Sequence, residues 1–338
     1  MKQIQTILII AAIMLLTACS KDSENAVGAV GQEPGTTVEE PQASLRMVSM
    51  ARSALGVTDY GDIKVYLTRF DELVEGLFKH TSNDEWSTQL RLKSGRRTYD
   101  LYGYMPHSGG ITSSLSDITS DGAILHINGL DAISNRDYCV VTGVRQTVSA
   151  TDETVAERGV FSFDYDSNRQ NYLNLLFDHL YGRVVFLMKM GEDYSALRSI
   201  KIKTMQMQLT SISKVSVDAT LKKGEGLQNK AYSITGTEAK TLDIRTEDLL
   251  LTTTPTEACS FQLAILPAII NQLRLVTTYE VYDKAGHKIA DRTATNNLFV
   301  PLDIMSVGDE LTLTISVDPT YLYVLADPDL DNPTLTIE

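Results

Sequence analysis

Cysteine, histidine and tryptophan are scarce in this 338-residue chain, which has three, five and one of them. Cys19, Cys139 and Cys259 are too few and too far apart for a disulfide scaffold, and no C-x-x-C pair exists to found a zinc module. The histidines, at 80, 107, 126, 179 and 287, include no H-E-x-x-H pair. Walker loops, a G-x-G-x-x-G turn and a G-x-S-x-G elbow are likewise missing. The chain therefore reads as a non-enzymatic protein that needs no cofactor. Basic residues are in deficit, 30 Lys and Arg against 43 Asp and Glu, for a net charge of −13. Without a basic stripe to neutralise phosphates, nucleic acid is excluded as a partner.

What is present begins at the N-terminus. Lys2 precedes an apolar run, Ile4 to Leu16, broken only by Gln5 and Thr6. It has the length of a signal-peptide core and falls short of the roughly 20 apolar residues that span a bilayer. Leu16-Thr17-Ala18-Cys19 resembles a bacterial lipobox, which makes Cys19 the expected lipid attachment site and residues 1–18 a removable signal. Acyl chains on one residue anchor firmly, at ~0.8 kcal/mol per buried CH₂. The charged cluster Ser20 to Glu24 resembles an export signal that sends lipoproteins to the outer face of the outer membrane. Residues 19–46, with three glycines, two prolines and few large apolar residues, read as a flexible linker or prosegment. Its apolar alternation is thin, with Val27 and Val30 or Thr37 and Val38 as meagre material for a removable strand.

From Asp62 onward the dominant period is two, the signature of half-buried strands. "DIKVYLT" places Ile63, Val65 and Leu67 on one face. "TQLRLKSGRRTYDLYGYMP" predicts two arms around a turn at Ser94 to Arg96. "GAILHINGL", "YCVVTGV" and "GVFSFDYD" follow, the last with Phe161 and Phe163 opposed to Val160 and Ser162. "GRVVFLMKM" alternates Val184, Phe186, Met188 and Met190. In "SIKIKTMQMQL" the parity slips between Ile202 and Met205, which predicts a β-bulge near Lys203-Thr204. "KVSVDA", "SFQLAIL", "LVTTYEVYD" and "DELTLTISVD" complete a pattern typical of all-β sandwiches. A change of composition at Asp164 to Asn171 suggests two domains, 47–168 and 169–338. One stretch departs from period two: Phe70, Leu73, Val74, Leu77 and Phe78 have helical spacing and predict a short helix or turn packed on the first sheet.

Individual residues add little chemistry. Cys139 and Cys259 lie in strand-like runs and read as buried free thiols, with pairing left open. His179 in "FDHLYG" reads as a sheet-end histidine with a backbone partner. Asp327, Asp329, Asp331 and Glu338 partly mimic the acidic positions of a calcium loop, but Asn332 occupies the position of the required glycine. An acidic turn is the better reading.

Taken together, "DIKVYLTR", Trp86, "YDLYGYMP", "LLFDHLYGRVVFLMKM" and the ending "YLYVLADPDLDNPTLTIE" resemble the fimbrillin-like proteins of Bacteroidetes, the subunits of type V pili. The resemblance implies two tandem transthyretin-like β-sandwich domains behind a lipoprotein signal. It implies a surface-exposed, lipid-anchored subunit at the outer membrane, acting in adhesion or biofilm formation, whose partners are other pilus subunits. A host or bacterial surface ligand is a further possible partner. It also implies an arginine-specific cleavage that removes an N-terminal strand, and a donor strand from the next subunit's C-terminal region that replaces it. Carried onto this chain, Arg46 is the expected cleavage position, with Arg52 as runner-up. The donor candidates lie within residues 320–338: Tyr321, Tyr323 and Leu325, or Leu335 and Ile337. The alternative is a monomeric glycan-binding surface lipoprotein, with Tyr99, Tyr102 and Tyr104 as its aromatic platform. A hydrolase without a recognisable motif is a third reading.

Overall fold

The computed structural model describes residues 43–47, 61–298 apart from 82–84, 89, 91 and 153, then 306–317 and 335–337. The protein is all-β, with 22 strands numbered here in chain order and two short helices, Glu192–Leu197 and Pro267–Ile270, among the described residues. None of the described helices is long and apolar enough to cross a membrane. Cys19, Arg52, Tyr321, Tyr323, Leu325 and the acidic run at 327–331 lie outside the described residues.

The largest sheet has eight strands. In spatial order they are β10 (Ser162–Asp166), β5 (Arg96–His107), β2 (Asp62–Arg69), β3 (Glu72–His80), β4 (Glu85–Ser87), β1 (Ala43–Met47), β11 (Asn171–His179) and β9 (Cys139–Thr147). An extra pairing joins β9, at one end, to β5, the strand next to the other end. Its inner face carries a core that includes Ile63, Val65, Leu67, Trp86, Leu101, Val141, Leu175 and Phe177. Trp86 is 1% exposed and its indole Nε1 donates to the Gly61 carbonyl at 3.0 Å, so the one tryptophan is both packed and satisfied.

Three smaller sheets carry the other core. One runs β15 (Gly226–Gly236), β14 (Lys214–Lys222), β7 (Gly122–Asp131), β6 (Thr112–Ser116). A second runs β16 (Lys240–Arg245), β13 (Ser199–Leu209), β19 (Arg274–Tyr282), β20 (Lys288–Asn297), with β17 (Leu249–Leu250) on β13. The third runs β22 (Leu335–Ile337), β21 (Glu310–Val317), β12 (Gly182–Met190), β18 (Thr256–Leu263), β8 (Ile133–Ser134). Alternate residues such as Val184, Phe186, Met205, Met207, Val215 and Val217 meet in the shared core. Strands on either side of position 168/169 share sheets: β7 pairs with β14, β8 with β18, and β11 with β9.

The alternation readings hold across these strands. Ile63, Val65 and Leu67 are buried, Phe161 and Phe163 point in, and Val160 is 41% exposed. The register of β13 against β19 slips between Ile202 and Thr204, where the parity change predicts a bulge. Both described cysteines are free and buried.

Two expectations are corrected. The stretch from Phe70 to Phe78 is no helix: it is the turn and second arm of a β2–β3 hairpin, paired from Arg69↔Glu72 to Ile63↔Phe78. Spacings of three and four also arise when a strand's apolar residues fall on both faces, and only Phe78 in this arm is fully buried. Gly76 fits the strand closely, because a Cβ there would lie 2.3 Å from Leu90 Cδ2. The second correction concerns "TQLRL", where the described residues form no strand; β5 starts only at Arg96. Leu92 is buried and Leu90 packs on the same core, so this segment contributes side chains rather than ladder bonds.

Candidate functional site

β1 is the first feature with functional geometry. It runs parallel to β11, from Ala43↔Asn171 to Met47↔Leu175, and antiparallel to β4 at Ser44↔Ser87, Leu45↔Trp86 and Arg46↔Glu85. Arg46, expected at the end of a linker, therefore sits inside a strand bonded on both sides. The thin alternation of residues 19–46 gave no sign of it, because β1 takes only five residues and straddles the expected boundary at 46/47.

The walls of this slot are unequal. β11 is bonded along its other side to β9 from Tyr172↔Thr147 to His179↔Cys139. Its Asn174, 0% exposed, also donates from Nδ2 to the carbonyls of Asp152 at 2.9 Å and Thr154 at 2.8 Å. By contrast, β4 has three residues and meets β3 at only two pairs, Lys79↔Ser87 and His80↔Trp86. Among the described residues, the β1–β4 pairing runs to Arg46↔Glu85 and Met47 is matched to Leu175.

At the other end of the chain, β22 is an edge strand of three residues on β21, with Val317↔Leu335 and Ile315↔Ile337. The donor candidates Leu335 and Ile337 are thus paired within their own chain, through one neighbour among the described residues.

Tyr99, Tyr102 and Tyr104 are each 0–1% exposed. Tyr102 stacks on Phe161 at 4.9 Å between centroids, and burial pushes the Tyr104 phenol up to about 12. The aromatic platform proposed for a glycan is core.

One cluster was not foreseen. Cys139 at the start of β9 is matched directly to His179 at the end of β11, and Asp137 precedes Cys139 by two residues. Cys139 Sγ lies 3.5 Å and Asp137 Oδ2 2.6 Å from the same nitrogen, His179 Nδ1. The histidine thus has side-chain partners where a backbone one was expected. A nucleophile–histidine–carboxylate relay needs its two partners on opposite ring nitrogens, which this arrangement does not provide. Burial, reinforced by the Asp137 carboxylate, pushes the Cys139 thiol well above its ordinary value and holds it protonated. Burial likewise pushes the Cys259 thiol up to about 12, beside Met205.

No protein-family model matches the sequence. No curated protein matches it either. Among solved structures, the chain is similar to a fimbrial protein from Bacteroides vulgatus, with a TM-score of 0.45 and 11% identity over 88% of this chain and 97% of that one. It is also similar to the fimbrial anchor protein Mfa2 from Porphyromonas gingivalis, with a TM-score of 0.30 and 12% identity over 88% of this chain and 96% of that one. At these scores the likeness bears on no individual residue of this chain.

Proposed function

We propose that this chain is a surface lipoprotein of the fimbrillin kind, held by lipid at Cys19, that becomes a pilus subunit by strand replacement. The observation that carries the proposal is the position of Arg46, within a strand bonded between β4 and β11. Cutting after Arg46 detaches residues 43–46 from the body of the protein. The vacated slot then presents unpaired N–H and C=O groups on two facing strands, which one extended segment from another copy satisfies. The C-terminal region of that copy, residues 320–338, supplies the segment. Among the described residues β22 spans three positions and pairs on one side, which supports its release from its own sheet at little cost. Such a head-to-tail contact does not close on itself and yields a filament. Adhesion or biofilm formation is the expected role.

The test treats the detergent-solubilised full chain with an arginine-specific protease. The products are run unboiled on a denaturing gel, and their N-termini are read by mass. The proposal expects a new N-terminus at Met47 and a ladder of oligomers. Cleavage that yields monomer alone excludes a self-polymerising stalk. A chain left intact at both Arg46 and Arg52 overturns the processing step.

A further inference from the structure

We propose that Asp137, Cys139 and His179 form a binding site for a zinc-class divalent cation. The three ligand atoms, a carboxylate oxygen, a sulfur and an imidazole nitrogen, all lie within 4.8 Å of one another. Three unlike donors converge because the ladder puts them there: Cys139 and His179 are direct partners across β9 and β11. Asp137, two residues before Cys139, falls on the same side of the chain. The Leu180 N–H donates to the Tyr138 carbonyl at 2.7 Å, extending the pairing past the cluster and fixing both chains beneath it.

The donor set selects the ion. Thiolate and imidazole together disfavour magnesium and calcium, which take oxygen ligands, and suit zinc. Tetrahedral bonds of ~2.0–2.3 Å place ligand atoms roughly 3.3–3.7 Å apart. The Sγ–Nδ1 separation of 3.5 Å already meets that spacing. The Oδ2–Nδ1 separation of 2.6 Å is shorter and has to widen on binding. A carboxylate rotation accomplishes this.

Charge balance points the same way. Asp137 Oδ1 is shut off from solvent without a hydrogen-bond partner, while Oδ2 lies 2.6 Å from His179 Nδ1. A buried carboxylate oxygen without a partner is costly, and a bound cation would offset that cost. Zinc binding to the thiol releases its proton, so one carboxylate and one thiolate neutralise a dication, with the imidazole as the neutral third ligand. His179, alone of the three ligands, also lines a cavity of about 350 Å³ together with Arg158, Asp178, Gln228, Lys230 and Gly308, and the proposed path for the ion and for a completing water runs from that cavity past the imidazole.

The experiment uses the full chain in detergent, with Cys19→Ser and Cys259→Ser variants to assign any sulfur signal. After exposure to zinc and dialysis, elemental analysis is expected to find about one zinc per chain. Replacement by cobalt(II) is expected to produce a thiolate-to-cobalt charge-transfer band in the near ultraviolet. The band should survive in both of those variants and vanish in Cys139→Ser. Asp137→Asn, nearly the same shape, is expected to weaken binding at least tenfold, the scale on which even supporting groups of metal sites act. If Cys139→Ser fails to fold, alkylation of the native chain in mild denaturant decides: zinc should protect Cys139 and leave Cys259 unprotected. A native chain that holds no zinc and shows no thiolate band overturns the site and leaves a buried Asp137–His179 pair. A band that persists in Cys139→Ser overturns it equally.

Discussion

Asp131, at the end of β7, shows how much a single carboxylate ties together. Its Oδ1 meets the Lys214 ammonium of β14 at 2.8 Å and the Lys240 ammonium of β16 at 2.9 Å, and its carbonyl accepts from the Tyr181 hydroxyl at 2.8 Å. Partial burial alone would raise the pKa, but the hydrogen bonds and charges of the two lysines outweigh it and hold the carboxyl below its ordinary value. A group with a depressed folded pKa adds stability above its unfolded pKa and loses it as the pH falls through the folded one. Asp131→Asn is therefore expected to lower stability by about 0.5–1 kcal/mol at neutral pH, a modest figure because Lys214 is half exposed. The gap should close as the pH drops below the ordinary carboxylate value of ~3.9. Denaturant midpoints of the two proteins at neutral and acid pH check this; a gap that is constant with pH removes the lysines from the explanation.

At the level of elements, the β2–β3 hairpin carries the clearest prediction. Gly76→Ala sets a methyl against Leu90, at the far end of a side chain, and is expected to cost about 1–3 kcal/mol through overpacking. In the double variant with Leu90→Ala, part of that loss should return, so the two changes should cost less together than their sum. Chemical denaturation of the four proteins tests the coupling, and strict additivity would show that Leu90 is not what the methyl meets. The same hairpin shows what could be read in advance. Strands with one clean apolar face, such as β12 and β13, were legible from alternation, down to the bulge after Ile202. The β3 arm was not, because its apolar residues serve both faces and its spacing fits either period. β1 escaped for a different reason: five residues carry too little pattern, and it is held by partners over 30 residues away in β4 and over 120 away in β11. The Asp137–Cys139–His179 cluster was half legible, as an aspartate and a cysteine two residues apart. The histidine came from a pairing that only the register shows.

Across the whole molecule, strands from either side of the expected boundary at 168/169 pair with one another. β7 is matched to β14 from Gly122↔Lys222 to Asp131↔Lys214. An unfolding unit that breaks this ladder loses both partners at once, so a single thermal transition is expected by calorimetry. Two well-separated transitions would instead favour independent domains at 47–168 and 169–338. A final consequence follows from β1 being joined to the body by only residues 48–61. A strand on so short a tether faces its slot at an effective concentration on the order of millimolar. A rival strand from another copy, at far lower concentration, would have to bind the slot correspondingly more tightly to win that contest. On the strand-replacement reading proposed above, a cut after Arg46 would part residues 43–46 from this linker and turn an intramolecular competitor into a dilute free peptide. The cut would then act as a lock on timing: the slot and its eventual occupant would coexist without joining, and assembly would wait for the blade.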